Sequence, residues 1–417
     1  MIKRKNQYIK FIISLLIIYS FWGFIFTKTV FELSIVVYIS FVGLLIAFLY
    51  VLFKERFIVL KQESCCWIPY FLYSLVTLLI QGDLEFFSYW MVCLIIILIS
   101  IRVKIYNAIP YKLFLYSGII AFIGQMVQLF LPSLYNATIS PLFSNSSTIN
   151  YWSTTYGLAG FTYQLDQTAM ILITAEAVVL AFSILNNDQK TNRLSWLLIC
   201  LLVIGVFLSG KRMLCLVSIV VPFFVYLIQQ KSLSKKLVFF LLVGIIGLSG
   251  IVYFITNIDT FYDSRFFYRF AKTFIDFQNK ADFSDGRSML ASKAMNAFYE
   301  NPIFGVGVGK FASYTGEVTA VHNTYLQVLC EQGIVGITLY VFPLLIGVFS
   351  TIYTIKTTNV EFPGMKYYKF SLFIQMTYIL YAFTENVNIN MFGYVIYYIA
   401  FATYLSTKYG FEVELER

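Results

Sequence analysis

The sequence predicts an all-α fold, a polytopic transmembrane helical bundle of about 12 spans with a large extracytoplasmic loop that contains short helices. Three observations lead there. Hydrophobic residues make up 59% of the 417-residue chain and charged residues only 12%, where a soluble domain carries roughly a quarter. The mean hydropathy is +0.77. Apolar runs of about 20 residues, the length that crosses a ~30 Å hydrocarbon core, recur along the chain.

The runs fall near 8–27, 30–53, 66–82, 86–101, 112–132, 166–185, 194–209, 212–229, 236–256, 324–354, 367–385 and 389–407. The first follows Met1-Ile-Lys-Arg-Lys. It is too long for a cleaved signal peptide and lacks a small-residue cleavage site, so it is expected to stay as a signal anchor. The tenth is long and is expected to tilt or to extend beyond the bilayer. The chain thus divides into N-terminal spans over 1–256, a large extracytoplasmic loop over 257–323, and C-terminal spans with a cytoplasmic tail over 324–417.

Charge sets the expected orientation. With the N-terminus inside, the cytoplasmic gaps hold Lys54, Arg56 and Lys61; Arg102, Lys104 and Lys112; Lys190 and Arg193; Lys231, Lys235 and Lys236; and Lys356, Lys366 and Lys369. Lys3, Arg4, Lys5, Lys10, Lys408 and Arg417 add to the same side, whereas the short outer gaps hold only Lys28, Lys211 and Arg212. This is a positive-inside pattern with both termini cytoplasmic, in a bacterial inner membrane. The net charge of +9 is therefore topological, and no nucleic-acid partner is expected. Six cysteines without a CxxC pair, and a single histidine, give no reason to expect a zinc site. No internal repeat is visible, which weighs against transporters built from symmetric halves.

Two outer segments are long. Residues 133–165 lack Lys and Arg; residues 257–323 carry seven basic residues. A large basic outer loop with helical signals is expected to be an ordered functional cap. On a helix, Arg265, Arg269 and Lys272 share one face and Phe266, Phe270 and Phe274 another. That pattern suits a helix lying among lipid headgroups, either guiding an anionic headgroup or simply anchoring the loop. Further on, Ser284 or Asp285 can cap a helix that ends at Asn301-Pro302. Arg287 then lies in its first turn, where the positive helix end disfavours a cation unless an anion is near. An ordinary solvated arginine remains the other reading. Gly305-Val306-Gly307-Val308-Gly309-Lys310 matches neither GxGxxG nor GxxxxGK[ST]. It reads as a flexible turn that lets the backbone pass close to a neighbour, such as a sugar.

His322, the lone histidine, stands at the outer start of a span. It is either a base for activating a hydroxyl or a structural polar residue. Lys211 and Arg212 sit against apolar sequence at an outer junction, where a pyrophosphate would account for both, or where both could snorkel to the surface.

Together these pieces resemble the O-antigen polymerase and O-antigen ligase superfamily of Wzy-type membrane glycosyltransferases. The resemblance runs through Gly286-Arg287 with its alanine-rich helix, Asn301-Pro302-Ile303-Phe304-Gly305-Val306-Gly307, His322-Asn323-Thr324-Tyr325-Leu326 and Glu331-Gln332-Gly333-Ile334-Val335-Gly336. It covers about 50 residues. Arg212 after Ser209 resembles the family's arginine at a span junction, with Gly210-Lys211 in place of the usual Ser or Thr. The resemblance implies a lipid-pyrophosphate sugar donor, Arg212 and Arg287 on the pyrophosphate, and His322 as base. Lys211, Arg265, Arg269, Asn323, Tyr325 and Glu385 are further candidates for binding substrate. It also implies a metal-independent reaction with no cofactor, in which an acceptor hydroxyl attacks the anomeric carbon and inverts it. Tyr163-Gln164-Leu165-Asp166-Gln167 stands where the family often has a polar segment entering a span, without the usual Asn. Glu385-Asn386 stands at the outer end of the eleventh run, where the carboxylate could bind a sugar hydroxyl. The other reading of each is a plain polar span end.

The expected activity is polymerisation of repeat units on undecaprenyl pyrophosphate for O-antigen or capsule. The alternatives are ligation of finished glycan to lipid A core or protein, and, from another class, a flippase or transporter. The expected partners are an undecaprenyl-pyrophosphate-linked oligosaccharide and membrane lipid, with a chain-length regulator and a flippase as further candidates.

Overall fold

The computed structural model describes residues 2–22, 34–55, 61–81, 85–100, 104–143, 156–162, 164–185, 193–230, 232–264, 267–279, 286–359, 361–387 and 391–415. Most of them are helical, and no strand occurs among the described residues. In chain order the helices are α1 (Ile2–Trp22), α2 (Ser34–Glu55), α3 (Gln62–Cys65), α4 (Trp67–Gln81), α5 (Glu85–Ser100), α6 (Ile105–Ala108), α7 (Tyr111–Phe130) and α8 (Pro132–Thr138). Then come α9 (Leu165–Val179, prolonged by a wide turn over Leu180–Ile184), α10 (Arg193–Leu208), α11 (Arg212–Gln229) and α12 (Leu233–Thr256). Four short helices follow: α13 (Ile258–Asp263), α14 (Tyr268–Gln278), α15 (Arg287–Glu300) and α16 (Phe311–Thr315). The last three are α17 (Thr324–Thr357), α18 (Met365–Tyr381) and α19 (Met391–Leu415).

A helix lies on each of the 12 expected apolar runs. Five stretches among the described residues are long and apolar enough to cross a bilayer: Gln62–Ile80, Tyr111–Phe130, Leu165–Ile184, Arg212–Gln229 and Thr324–Thr357. Shorter apolar helices lie at Gln7–Trp22, Ile39–Phe53, Trp90–Ser100, Arg193–Leu208 and Gly247–Thr256. Leu165–Ile184 is 83% buried, against 33–39% for the other four long stretches. It is therefore the centre of the bundle, and its neighbours sheathe it. Exposed residues such as Phe53, Ile80, Ile219 and Phe349 would be a liability in water, but they are matched to hydrocarbon.

Packing of the central helices rests on aromatic rings. Trp67 meets Tyr340, Tyr397 and Tyr398 with centroids 6.4, 5.8 and 5.0 Å apart, so α4, α17 and α19 are held at one point. At another point Glu63 accepts from Lys408 Nζ (2.8 Å) and Tyr409 Oη (2.6 Å). That pairing lets a carboxylate be buried beside α19.

The segment 156–162 is wedged between α7 and α10. Gln125 Nε2 donates to the carbonyls of Leu158 (3.0 Å) and Gly205 (2.9 Å). The Gly160 N–H donates to Gln128 Oε1 (2.8 Å), and the Leu158 N–H to Leu208 O (2.8 Å). These bonds satisfy irregular backbone that would otherwise be orphaned inside the bundle. They also fix the Ser209–Arg212 turn at the start of α11.

Candidate active site

Asn323 begins α17: its side chain accepts from the Leu326 N–H at 3.1 Å, an N-cap that satisfies one free donor of the first turn. His322 is thereby left just outside the helix. Thr324 clamps the turn after α18. Its N–H donates to Ala382 O (2.8 Å) and Glu385 O (3.2 Å). Its hydroxyl donates to Glu385 O (2.8 Å) and accepts from the Val387 N–H (2.9 Å).

The clamp sets a Glu385 carboxylate oxygen 2.8 Å from His322 Nδ1. Lys211 Nζ approaches the other oxygen at 3.7 Å. Arg287, the first residue of α15, donates to Thr384 O at 2.9 Å. Its charge also acts on Glu385. His322, Glu385, Lys211 and Arg287, from four separate parts of the chain, thus meet. The imidazole is 37% exposed and the carboxylate only 10%, so a substrate can reach the ring while its partner is shielded. Asp166, buried in the first turn of α9, feels the charges of Lys211 and Glu385.

Burial pushes the Glu385 carboxyl up. The hydrogen bond from His322 and the positive charges of Lys211, His322 and Arg287 outweigh it and hold the group at about 2, below its ordinary 4.5. An ionised carboxylate only accepts, so His322 Nδ1–H donates and Nε2 keeps its lone pair when the ring is neutral. Because the folded pKa is depressed, the contribution of Glu385 is fully present above about 4.5 and is lost as pH falls toward 2. Glu385→Gln is expected to flatten part of the decline in melting temperature over that window, read by thermal melts in detergent. A decline as steep as in the parent protein would show that the pairing of this carboxylate with His322 and Lys211 does not stabilise the fold.

A second cluster adjoins the first. Lys211 has extended backbone (φ −86°, ψ 92°), and neighbouring side chains of an extended stretch point to opposite sides. Lys211 faces Glu385. Arg212 faces α14, where it donates to the Thr273 hydroxyl and to Arg269 O (3.5 Å). Arg269 donates to Gly210 O (3.4 Å) and lies over the Tyr156 ring at 4.8 Å. Tyr156, Arg212, Tyr268, Arg269, Lys272 and Thr273, with Asp276, line one cleft, and Arg287 is not among its lining residues. The apolar side of α14 packs inward, with Phe270 stacked on Phe207 at 5.7 Å. Arg265, Phe266, Ser284 and Asp285 lie outside the described residues.

Tyr325 is engaged in the fold: its hydroxyl donates to Ile379 O (3.0 Å) and its ring lies 4.6 Å from Phe383. The glycine-rich stretch also has a structural partner. α17 is kinked at Gly333 (φ +66°), and a kink orphans carbonyls on its N-terminal side. The Val306 N–H donates to Cys330 O (2.9 Å) and the Gly307 N–H to Glu331 O (2.8 Å). In return the Ile334 N–H donates to Pro302 O (2.9 Å). The close neighbour expected of the Gly305–Gly309 backbone is thus the broken helix itself. The buried Glu331 carboxylate accepts from the Phe311 N–H (3.2 Å) and from Gln327 Nε2. Gln327 Oε1 in turn accepts from the Val321 N–H (2.9 Å), which fixes the residue before His322. The structural part played by Glu331 was not legible in the sequence, because the backbone donor it accepts from, Phe311 at the start of α16, lies 20 residues away.

The fold and its apolar helices define a multi-pass membrane protein. Residues 196–341, about a third of the chain, match the O-antigen ligase family, which supports a place in the O-antigen ligase/polymerase superfamily. Members of that family are glycosyltransferase-like enzymes. The matched stretch contains Arg212, Arg269, Arg287 and His322 but neither Asp166 nor Glu385. No curated protein matches the chain.

Proposed function

We propose that the protein is a polysaccharide polymerase that transfers glycan from undecaprenyl pyrophosphate to a sugar hydroxyl of another lipid-linked repeat unit. The observation that carries this reading is the pairing of His322 with Glu385 beside Arg287 and Lys211. The acceptor hydroxyl oxygen attacks the anomeric carbon, and its proton passes to His322 Nε2. The bond from that carbon to the pyrophosphate oxygen breaks, and the lipid pyrophosphate leaves with the electron pair. The imidazolium that forms is stabilised by the ionised Glu385. Arg287 and Lys211, with Arg212 and Arg269 in the adjoining cleft, supply positive charge where the leaving group gains negative charge.

In this reading the chain crosses a bacterial inner membrane about 12 times with both termini cytoplasmic, and the His322 site opens on the outer face. The family match is to O-antigen ligases. Transfer to a lipid A core or protein acceptor would use the same donor chemistry, so the acceptor distinguishes the two. The test is reconstitution of the purified chain with undecaprenyl-pyrophosphate-linked repeat units. A ladder of longer lipid-linked chains, with release of undecaprenyl pyrophosphate, is expected. Movement of units across the bilayer with no new glycosidic bond would replace this reading with that of a flippase.

A further inference from the structure

We propose that the groove between α15 and α16 is a saccharide subsite that holds the acceptor chain several sugar units from its reacting hydroxyl. The inference rests on the glycosyl-transfer reading above. Lys293, Asn296, Ala297, Glu300, Tyr314 and Thr315 line the groove. None of them belongs to the His322 cluster or to the Arg212 cleft.

The chemistry of the lining selects the ligand. A sugar presents hydroxyls that donate and accept, and a C–H face that packs on an aromatic ring. The groove offers donors in Lys293 and Asn296, acceptors in Glu300 and Asn296, and the half-exposed ring of Tyr314. One cationic and one anionic side chain balance within it, which disfavours a pyrophosphate and suits a glycan. The donor headgroup therefore belongs at the arginines and the glycan here.

The groove is also built to hold its shape. The Tyr314 hydroxyl donates to Glu300 and accepts from Asn301 Nδ2 at 3.2 Å, which ties one helix to the other. Lys293 pairs with Glu317 at the far rim. Under the floor, Leu290, Ala294, Ala297, Phe311, Val321 and Cys330 form a small core of their own. Val321, which packs in that small core, directly precedes His322, so the floor of the groove and the imidazole are one residue apart in the chain.

Position supports the assignment. Lys293 and Glu300 lie six and 13 residues beyond Arg287 on one helix, hence about 9 and 20 Å along its axis at ~1.5 Å per residue. An extended oligosaccharide whose end reaches His322 can lie along that length.

The experiment uses the full chain in detergent and polysaccharide released by mild acid from cells that carry the protein, titrated calorimetrically. Asn296→Ala, an exposed position that leaves the fold intact, and Tyr314→Ala are each expected to weaken binding about tenfold. In elongation assays both are expected to raise KM for long acceptors and leave kcat unchanged. His322→Ala is expected to bind the glycan as the parent does. Unchanged binding in both groove variants, or no binding by the parent protein, overturns the subsite. A parent protein that binds glycan in the groove but forms no glycosidic bond overturns the transfer reading and leaves the subsite standing.

Discussion

His322→Ala is expected to slow chain elongation by about 10²–10⁴-fold, the range that a positioned general base supplies. Lipid-linked single units should then persist while the ladder of longer products disappears. Among the described residues the imidazole is held by one side-chain hydrogen bond, to Glu385, at the end of a helix whose cap is the neighbouring Asn323. Its removal therefore leaves the fold unchanged, and the melting temperature should move little. Full-rate elongation by the alanine variant would remove His322 from the chemistry altogether.

The second large effect is structural. Gly333→Ala is expected to destabilise the protein by on the order of 3 kcal/mol. A Cβ at Gly333 would stand within 3.0 Å of Ile303 O and Phe304 N, and one at Gly305 within 3.0 Å of the Glu331 and Gln332 backbone. Both residues have positive φ, +66° and +71°, a region where a side chain is strained. The loop that fills the kink in α17 would have to peel away, taking with it the donors that satisfy Cys330 O and Glu331 O. Gly247→Ala is the control, since a Cβ there meets nothing within 4 Å. A thermal melt should separate the two variants clearly. Equal stability would mean that the kink tolerates a side chain and that the loop is not fastened to it.

The helical framework was legible because its signal is local. An apolar run of about 20 residues needs only its own sequence to be recognised, and each expected run carries a helix. Two of the four short helices in the 257–323 segment, α14 and α15, were legible through amphipathic spacing and Pro302, whereas the residue that starts α15 is Gly286 in the left-handed region (φ +81°), with no side-chain cap bond. What the sequence hid was pairing across distance. The sequence offers Glu385 as a candidate for binding substrate or as a plain polar span end, and neither reading names His322, 63 residues away, from which its carboxylate accepts. The charge argument for Arg287 called for a nearby anion, and Glu385 supplies negative charge there. Nothing in the motif around Arg287 names that partner. The glycine-rich stretch gave its need for close approach but not the identity of the neighbour, since a kink in a helix leaves no compositional mark beyond one glycine.

Lys211 and Arg212 share a single peptide bond yet serve different clusters, the first beside Glu385 and the second in the α14 cleft. Whatever sequence change displaces the Gly210–Arg212 backbone must disturb both at once, so the two clusters are tied to each other during divergence. Substitutions around Tyr156 and α14 would then be expected to travel together with substitutions around the turn that bears Glu385, linked through one short stretch of main chain.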